Sequence, residues 1–411
     1  MAPDFELDFT DGVLAPSVSI TRALNTATSV NSSGYIATVN ADLPRFDYDP
    51  VSITLRGLLI EESRTNSLLQ SNTFNNAVWT AAFGSVSLVS GLSPDGASNV
   101  FKFTPSAPNA SFRELQQNIN LTAGTTYCYS QYVKADSYRY VQIIGGSGSF
   151  GTFYVNWDLL TGTETAFSAG SSTVVGRGII NCGNGYYRVW AAVTALATVS
   201  GRMAVNYIGS GTAIRGAAWV ADGVNGYLIY GAQLEIGAFP TSYIPTTTTA
   251  LTRNADVATI TGTNFSDWWQ DDKGGVLVGA RPSTVSGTRP WVQFDDGTAN
   301  EIITLRGNTT NPELYIVDGG VAQAQLDAGT IAANTDYSMS AWWATNDCKV
   351  RLDGNAAVTD LTATIPTVTQ MRIGSDGTNY LNGHIASIGY YDTFSGQIYA
   401  RRKNKAVFSL V

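Results

Sequence analysis

The chain has 411 residues, of which 44% are hydrophobic and only 14% are charged, with a net charge of −8. An acidic sequence pI near 4.7 argues against nucleic acid as the main partner, because proteins that bind nucleic acid present basic surfaces. The many glycine and aromatic residues favour short strands joined by turns rather than helices.

Membrane insertion, signal-dependent secretion and a disulfide framework are also not expected. No stretch approaches 18 apolar residues, and the acidic start MAPDFELDFTDG lacks the apolar region of a signal peptide. Three widely separated cysteines fit neither a disulfide framework nor a zinc site. We therefore expect a protein that is made in a reducing cytoplasm.

Residues 1–72 contain short apolar pieces separated by turn signals such as Asp11-Gly12 and Ser33-Gly34. The pieces are too short to close a core of their own. We expect this range to be an N-terminal segment for attachment or oligomerisation that lies against another domain or subunit.

Within that range, residues 57–69 (GLLIEESRTNSLL) combine an apolar run with a cluster of charges. The charged residues are Glu61, Glu62 and Arg64, with Arg56 directly before the range. Such a composition suits a buried hinge whose charges are paired or hydrogen-bonded, and an ordinary surface turn is the alternative.

Residues 73–240 predict a first antiparallel β-sandwich. The expected strands cover residues 100–103, 113–121, 125–135, 140–144, 152–158, 173–180, 186–194, 203–207 and 226–235. In residues 152–158, Phe153, Val155 and Trp157 are expected on one face and Tyr154, Asn156 and Asp158 on the other.

The two prolines and four consecutive threonines near residues 241–253 predict an extended linker. Residues 254–411 predict a second sandwich with strands at 275–280, 291–294, 301–306, 313–317, 321–326, 335–343, 349–352, 370–373 and 384–391. Turns such as Asp318-Gly319-Gly320 and Asp353-Gly354 are hairpin signals. The basic stretch 397–405 is expected to be a short helix or a solvated tail.

The sequence offers little for catalysis. His384 is the only histidine and no catalytic motif surrounds it. The pairs Asp271-Asp272 and Asp295-Asp296 leave glycoside hydrolysis open as an alternative. Aspartates in turns, including Asp95, have oxygens suited to a structural Ca²⁺, although turn formation explains them equally well. We expect no catalytic residues, no cofactor and no dedicated metal site.

Aromatic residues that face away from the expected cores are the candidates for carbohydrate binding, because flat rings beside amides and guanidinium groups suit sugar rings. The aromatic candidates are Tyr132, Tyr154, Trp190 and Trp342, and their polar neighbours Asn156 and Arg188 are included as candidates.

Two segments carry a resemblance to known proteins. RFDYDP…RGLLIEESRTN in residues 45–66 and GAQLEIGAFPTSYIPT in residues 231–246 resemble segments of fibre, spike and receptor-binding proteins of tailed bacteriophages. YCYSQYVKA, FYVNWDLLTGT and GYYRVWAAVTA resemble carbohydrate-binding modules of jelly-roll type, although Gln131 stands where those strands are usually apolar. CKVRLDGN, MRIGSDG and LNGHIASIGYYDTFSGQIYA are similar to laminin-G or concanavalin A-like lectin domains.

The resemblance implies an all-β protein with two sandwiches in tandem after an N-terminal segment. It also implies a virion component, on tail or head, that binds host surface polysaccharide as a homotrimer and contacts other virion proteins through that segment. Such a protein is made in the host cytoplasm and released by lysis. A polysaccharide-degrading tailspike enzyme and a purely structural baseplate or collar adaptor are the alternatives.

Overall fold

The computed structural model describes residues 2–107 and 109–393, and the all-β class predicted from the sequence is confirmed there. Two helices of four residues each accompany the strands of this described part. Within it, no helix is long and apolar enough to cross a membrane. The predicted helix or tail at 397–405 lies outside the described residues.

Fourteen strands lie in the described chain up to residue 145. In order they are Phe5–Asp8 (β1), Ser19–Thr21 (β2), Ala27–Val30 (β3), Ile36–Val39 (β4), Phe46–Tyr48 (β5), Leu55–Ile60 (β6), Arg64–Asn66 (β7), Thr80–Ala82 (β8), Gly84–Ser90 (β9), Asn99–Pro105 (β10), Glu114–Gln116 (β11), Ile119–Asn120 (β12), Thr126–Ala135 (β13) and Tyr140–Gly145 (β14).

The helix Ser147–Phe150 (α1) follows. After it come Tyr154–Asp158 (β15), Thr163–Ser168 (β16), Thr173–Asn181 (β17), Tyr186–Thr194 (β18), Ser200–Gly201 (β19), Met203–Ile208 (β20), Tyr227–Ile236 (β21), Leu251–Arg253 (β22) and Val257–Thr261 (β23).

The helix Thr263–Ser266 (α2) precedes the last strands. These are Lys273–Pro282 (β24), Thr288–Asp295 (β25), Ile302–Asn308 (β26), Asn311–Asp318 (β27), Val321–Asp327 (β28), Tyr337–Ala344 (β29), Cys348–Leu352 (β30), Val358–Asp360 (β31), Gln370–Ile373 (β32) and Gly383–Tyr391 (β33).

The first sandwich consists of two six-stranded sheets, in the orders β17-β18-β13-β21-β10-β9 (the β13 sheet) and β16-β15-β14-β20-β11-β8 (the β14 sheet). Its core contains Phe153, Val155 and Trp157, each fully buried, so the predicted alternation of β15 is confirmed. The opposite face of β13 carries Tyr132, which belongs to a separate aromatic cluster.

The second sandwich consists of an eight-stranded sheet, β31-β30-β29-β24-β33-β6-β5 with β1 beside β33, and a seven-stranded sheet, β2-β23-β32-β25-β26-β27-β28. Its predicted hairpin turns are confirmed: Gly319 and Gly320 have φ of 59° and 76°, and Asp353 and Gly354 have φ of 50° and 73°. Two consecutive positive φ angles match the right-handed twist of the flanking strands.

The N-terminal strands differ from the expectation of a separate segment over residues 1–72. β1, β2, β5 and β6 are part of the two sheets of the second sandwich. Their apolar side chains, Leu7, Phe9, Ile20, Leu58 and Ile60, are buried in the core of that sandwich. Short strands without a core of their own gain stability by completing sheets that residues 254–393 leave unfinished.

The two sandwiches are therefore nested rather than consecutive along the chain. The chain leaves the second sandwich after β6, passes through β7 into the first sandwich, and returns through β22 to β23. β7 and β22 pair antiparallel, with Asn66 opposite Leu251 and Arg64 opposite Arg253, so both crossings lie side by side. Sequence order alone does not reveal this arrangement, because the pairing partners of β1 and β6 are more than 300 residues away.

Candidate functional site

A buried cluster of charges fills the joint between the two sandwiches. Arg45 donates to Glu61 Oε2 at 2.7 Å and also pairs with Asp256, while Arg22 Nη1 donates to Asp256 Oδ1 at 2.8 Å. Arg253 lies 3.5 Å from Glu61 and 3.8 Å from Asp256. All five side chains are at most 8% exposed. We call these five residues the charge cluster.

The electrostatics of the charge cluster favour its ionised form. Burial alone would raise the pKa of Glu61, but Arg253, Arg45 and hydrogen bonds from Ser242 outweigh it and hold that pKa below its ordinary value of 4.5. Burial lowers the pKa of Arg253, which Glu61 and Asp256 partly offset. Removing one member would leave an uncompensated buried charge, which lowers the unfolding free energy far more than an unpaired exposed charge does.

The four predicted hinge residues have different positions. Glu61 belongs to the charge cluster, and Glu62 binds Asn382 Nδ2 at 2.9 Å and pairs with Arg64. Arg64 also lies over the ring of Phe239, with 5.1 Å from Cζ to the ring centroid. Arg56 instead pairs locally with Asp49, at partial exposure. Glu61, Glu62 and Arg64 thus lie at the joint, whereas Arg56 lies apart.

Residues 45–66 and residues 231–246 meet at this joint, although they are separated by more than 160 residues. Asn66 donates to the carbonyls of Ala232 and Ile244, at 3.1 and 2.9 Å, and accepts from the amide of Leu234. Gly237 has φ of 148°, and a Cβ there would overlap the Arg64 guanidinium. Residues of these two segments therefore join the sandwiches.

Two of the predicted sugar-binding residues, Tyr132 and Arg188, are buried by the protein's own chain. Tyr132 packs edge-on against Tyr230 and Tyr243, with ring centroids 5.8 and 6.1 Å away. Arg188 donates to the Thr241 carbonyl at 2.6 Å and to Ser130 Oγ. The expectation that they present an open sugar face is corrected: the segment that follows β21 covers this face of the β13 sheet.

Trp190 is half-buried on the same face. Its indole lies across Gly176 and Gly178, where a Cβ would come within 3.0 and 2.7 Å of ring atoms. The two glycines let the ring lie flat at the sheet edge, which leaves a partly exposed aromatic surface.

Tyr154 and Asn156 lie on the β14 sheet, on the opposite side of the sandwich from Tyr132. Asn156 is fully buried and donates to the carbonyls of Gly211 and Ala213, at 2.9 and 2.8 Å. Tyr154 is half-buried. The residues predicted on the first sandwich therefore lie on two opposite outer faces and cannot form one site. Alternation within a strand does not show to which sheet that strand belongs.

Trp342 belongs to the second sandwich and is only 5% exposed. The next residue in sequence, Trp343, points to the opposite face of the strand and lies in the core at 0% exposure. Atoms of the Trp342 ring lie close to Gly275 on the neighbouring strand. Its burial makes it a packing residue in this structure rather than an open platform.

The residues considered for catalysis lie in different surroundings. His384 pairs with Asp47 at 2.8 Å in a buried position between β5 and β33. Asp271 and Asp272 are both exposed, while Asp295 is buried against Arg372 and Asp296 is exposed. Within residues 2–107 and 109–393, no group of three or more His, Cys, Asp or Glu side chains is arranged to hold a metal ion.

A cavity of about 260 Å³ opens beside the joint, and we call it the joint cavity. Three segments far apart in sequence line it. The β3–β4 hairpin contributes Thr28, Ile36 and Thr38; the first sandwich contributes Asn72, Asp95 and Tyr230; the segment after β21 contributes Tyr243 and Pro245.

The joint cavity combines aromatic rings with polar groups. Tyr230 and Asp95 line the cavity together, and the Tyr243 hydroxyl lies 2.6 Å from Ser71 Oγ. Burial, followed by the nearby Tyr243 and Asp95, raises the pKa of Tyr230 above its ordinary value, so its hydroxyl keeps its proton. Asn72 Oδ1 accepts from the Gly231 amide at 3.3 Å. Tyr230 and Tyr243 are 4% and 2% exposed, so the more accessible groups of the cavity are those of Thr38, Asn72 and Asp95. Hydroxyl, amide and carboxylate groups beside the edges of aromatic rings are suited to a polyhydroxylated ring.

The charge cluster helps to position the walls of this cavity. Arg45 Nη1 donates to the Thr28 carbonyl at 3.1 Å and to Ser242 Oγ at 2.8 Å. Thr28 Oγ1 in turn donates to the Tyr243 carbonyl at 2.6 Å. The hairpin and the segment after β21 are therefore fixed to each other through a few buried hydrogen bonds.

No protein-family model matches this chain, and no curated protein matches it. Among solved structures it is similar to a heptameric SAP-like pentraxin from Limulus polyphemus, at 10% identity and a TM-score of 0.25, over 32% of this chain and 69% of that one. It is also similar to domains LG4-5 of the mouse laminin alpha1 chain, at 9% identity and a TM-score of 0.23, over 70% and 88%.

A further similarity is to the LG1-3 region of the laminin alpha2 chain, at 10% identity and a TM-score of 0.24, over 69% of this chain and 64% of that one. The two-sandwich architecture follows from the strand order of this chain and not from these similarities.

The sequence alone predicts none of the joint-cavity residues as a sugar contact. It suggests Asp95 only for Ca²⁺ or a turn, and it does not distinguish Tyr230 and Tyr243 from other aromatic residues. One feature of the sequence points toward part of the cavity: the segment 231–246, which carries one of the resemblances described above, contains Tyr243 and Pro245. Nothing in the sequence shows that residues near 28, 95 and 243 converge.

Proposed function

We propose that this protein is a non-enzymatic virion component of a tailed bacteriophage that binds host surface polysaccharide through the joint cavity. The observation that supports binding is the combination of Tyr230, Tyr243, Asn72 and Asp95 around one opening of about 260 Å³. That volume is below the roughly 300–1,000 Å³ of pockets for drug-sized ligands, so it suits a single sugar ring.

Support for the virion assignment comes from the residues at the joint. The segments at 45–66 and 231–246 resemble phage fibre and spike proteins, and they contribute Arg45, Glu61, Ser242 and Tyr243 to one structural unit. In this proposal, the N-terminal strands and the joint hold the first sandwich in a fixed orientation on the particle.

Several copies would make weak sugar binding sufficient for adsorption. A site with a millimolar Kd provides only about 4 kcal/mol. Linking sites in one assembly raises overall affinity by roughly 10²–10⁴ without new contacts. We propose a homotrimer, in which three identical cavities engage one polysaccharide surface. Sedimentation of the purified protein tests this, and a monomer at micromolar concentration would contradict it.

Blocking the joint cavity tests the binding function directly. Thr38 is exposed in β4 and lines the cavity, so Thr38→Trp should fill the opening without entering a core. The matched control is Thr163→Trp, at an exposed position of β16 in the first sandwich. Binding to arrayed bacterial surface polysaccharides should fall at least about tenfold for Thr38→Trp and stay unchanged for the control. Equal binding by both variants would refute the cavity as the site.

The virion assignment has its own test. Antibodies against the purified protein should label particles produced by a bacterium that carries the gene. Particles that carry no label, in a preparation where a known virion protein is labelled, would contradict the assignment. Shortening of a polysaccharide by the purified protein would instead favour the tailspike-enzyme alternative.

A further inference from the structure

We infer that the joint cavity selects neutral or amino sugars and rejects acidic ones, with Asp95 as the specificity-determining residue. This inference rests on the proposed function, since it names the class of sugar that the same cavity would hold. Its basis is the charge and the remaining hydrogen-bonding capacity of the groups that line the opening.

Asp95 is the one charged residue among the described residues that line the cavity. The other lining groups are hydroxyls, an amide, aromatic rings and aliphatic side chains. None of them offers a positive charge to a ligand carboxylate. A uronic or sialic acid would therefore place its carboxylate near that of Asp95 without a compensating cation, and like-charge contacts in a binding site are costly.

The carboxylate of Asp95 keeps room for a further donor. Its Oδ1 accepts from the Ala97 amide at 3.2 Å and from Ser93 Oγ. An ionised carboxylate has about four lone-pair sites. Sites thus remain for a ligand group that donates, which a sugar hydroxyl does and an ammonium group does more strongly.

The loop of residues 93–97 holds Asp95 in place before a ligand arrives. The amides of Gly96 and Ala97 bond within this loop, to the Ser93 carbonyl at 2.9 Å and to Asp95 Oδ1. The Ile36 amide of the β3–β4 hairpin donates to the Pro94 carbonyl at 2.9 Å. The loop that carries the carboxylate is thereby fixed relative to the β3–β4 hairpin, as selection by position requires.

Matched methyl glycosides test the inference on the full-length protein. The probes are methyl glucoside, methyl glucosaminide and methyl glucuronide, which share a ring and differ in charge. Titration at low ionic strength should rank the glucosaminide first and the glucuronide at least about tenfold weaker than the glucoside. Since salt screens a partly exposed charge, the penalty on the glucuronide should shrink at about 1 M salt.

The variant Asp95→Asn isolates the charge. Asparagine keeps an oxygen that can accept from the Ala97 amide, so the loop should retain its conformation. We expect Asp95→Asn to bring the glucuronide within about threefold of the glucoside and to remove the preference for the glucosaminide. The control is Asp296→Asn, another exposed aspartate whose Oδ1 accepts from the amide two residues later, at 2.8 Å. It should leave the ranking unchanged.

The outcomes separate the two proposals. If the glucuronide binds the wild type as well as the glucoside, or Asp95→Asn leaves the ranking unchanged, the inference fails while sugar binding stands. If none of the three glycosides binds and the polysaccharide array is also negative, the proposed function fails. Equal thermal unfolding of Asp95→Asn and the wild type would show that any altered ranking does not come from misfolding.

Discussion

At the scale of single residues, Glu61 connects the joint to the stability of the molecule. It accepts from Arg45 at 2.7 Å and from the amide and hydroxyl of Ser242, at 2.8 and 2.7 Å. It thus binds the N-terminal segment to the segment after β21. A carboxylate with these partners stabilises the fold only while it is charged and all partners are present.

Replacing Glu61 by Gln should therefore destabilise the protein strongly. The change leaves the guanidinium groups of Arg45 and Arg253 short of one buried counter-charge, which costs about 3–5 kcal/mol. Denaturant unfolding measures this effect. The control is Arg56→Gln, whose ion pair with Asp49 is partly exposed and should contribute at most about 1 kcal/mol. Equal losses for the two variants would show that burial of the charge cluster has no energetic consequence.

The same residue gives the joint a defined response to acid. The pKa of Glu61 lies below its ordinary value of 4.5 in the folded state, so the unfolded chain takes up a proton first as the pH falls. Its contribution is complete above about pH 5 and is lost as the pH falls through the folded pKa. The difference in unfolding free energy between wild type and Glu61→Gln should shrink steadily from about pH 5 to about pH 2. A constant difference would contradict the lowered pKa.

At the scale of elements, the paired strands β7 and β22 are the passage between the sandwiches. Asn66, at the end of β7, is fully buried and uses both its amide donors and its carbonyl oxygen. It connects β7 to β21 and to the segment that carries Tyr243. The Asn66 side chain thus provides hydrogen bonds that connect β7 to these two segments.

Asn66→Asp tests that role with almost no change in shape. A carboxylate cannot donate to the Ala232 and Ile244 carbonyls, so two buried acceptors lose their donor beside a new negative charge. We expect a loss of about 2–4 kcal/mol in unfolding free energy, because unsatisfied buried groups cost about 1–3 kcal/mol each. Asn76→Asp, whose Oδ1 accepts from the Val78 amide in an exposed turn, is the control and should change stability little. A smaller effect at Asn66 than at Asn76 would overturn this assignment.

Some of the strands can be predicted from the sequence alone, and others cannot. Period-two alternation predicts β15, β18 and β32 with little error, because each has one face against a core. Glycines in turns predict the hairpins of the second sandwich. The edge strands β9 and β16 are not predicted, since none of their residues is fully buried against a core. The joint cavity is also beyond prediction, because it depends on contacts between distant residues such as Thr28 and Tyr243.

At the scale of the whole molecule, nesting predicts which fragments can fold. Residues 254–411 alone lack β1, β2, β5 and β6, and with them the buried side chains Leu7, Phe9, Ile20, Leu58 and Ile60. At about 1.5–3 kcal/mol for each side chain, that loss is comparable to the roughly 5–15 kcal/mol that stabilises a domain. This fragment should not unfold cooperatively.

The complementary deletion should fold. Asn66 and Leu251 are paired in β7 and β22, so residues 67–250 can be replaced by an Asn-Gly turn that closes the two strands. Circular dichroism and thermal unfolding of both proteins test the nesting. A cooperative transition for residues 254–411, or none for the closed deletion, would contradict the pairing of the N-terminal strands with the second sandwich.

The central claim is that the joint cavity binds a sugar, and a crystal of the full-length protein soaked with methyl glucosaminide tests it most directly. We expect electron density for the sugar against Tyr230 and Tyr243, with a donor group within hydrogen-bonding distance of Asp95. The density should be lost in Thr38→Trp crystals soaked in the same way. Density over Trp190 or on the second sandwich, with the joint cavity empty, would contradict the claim.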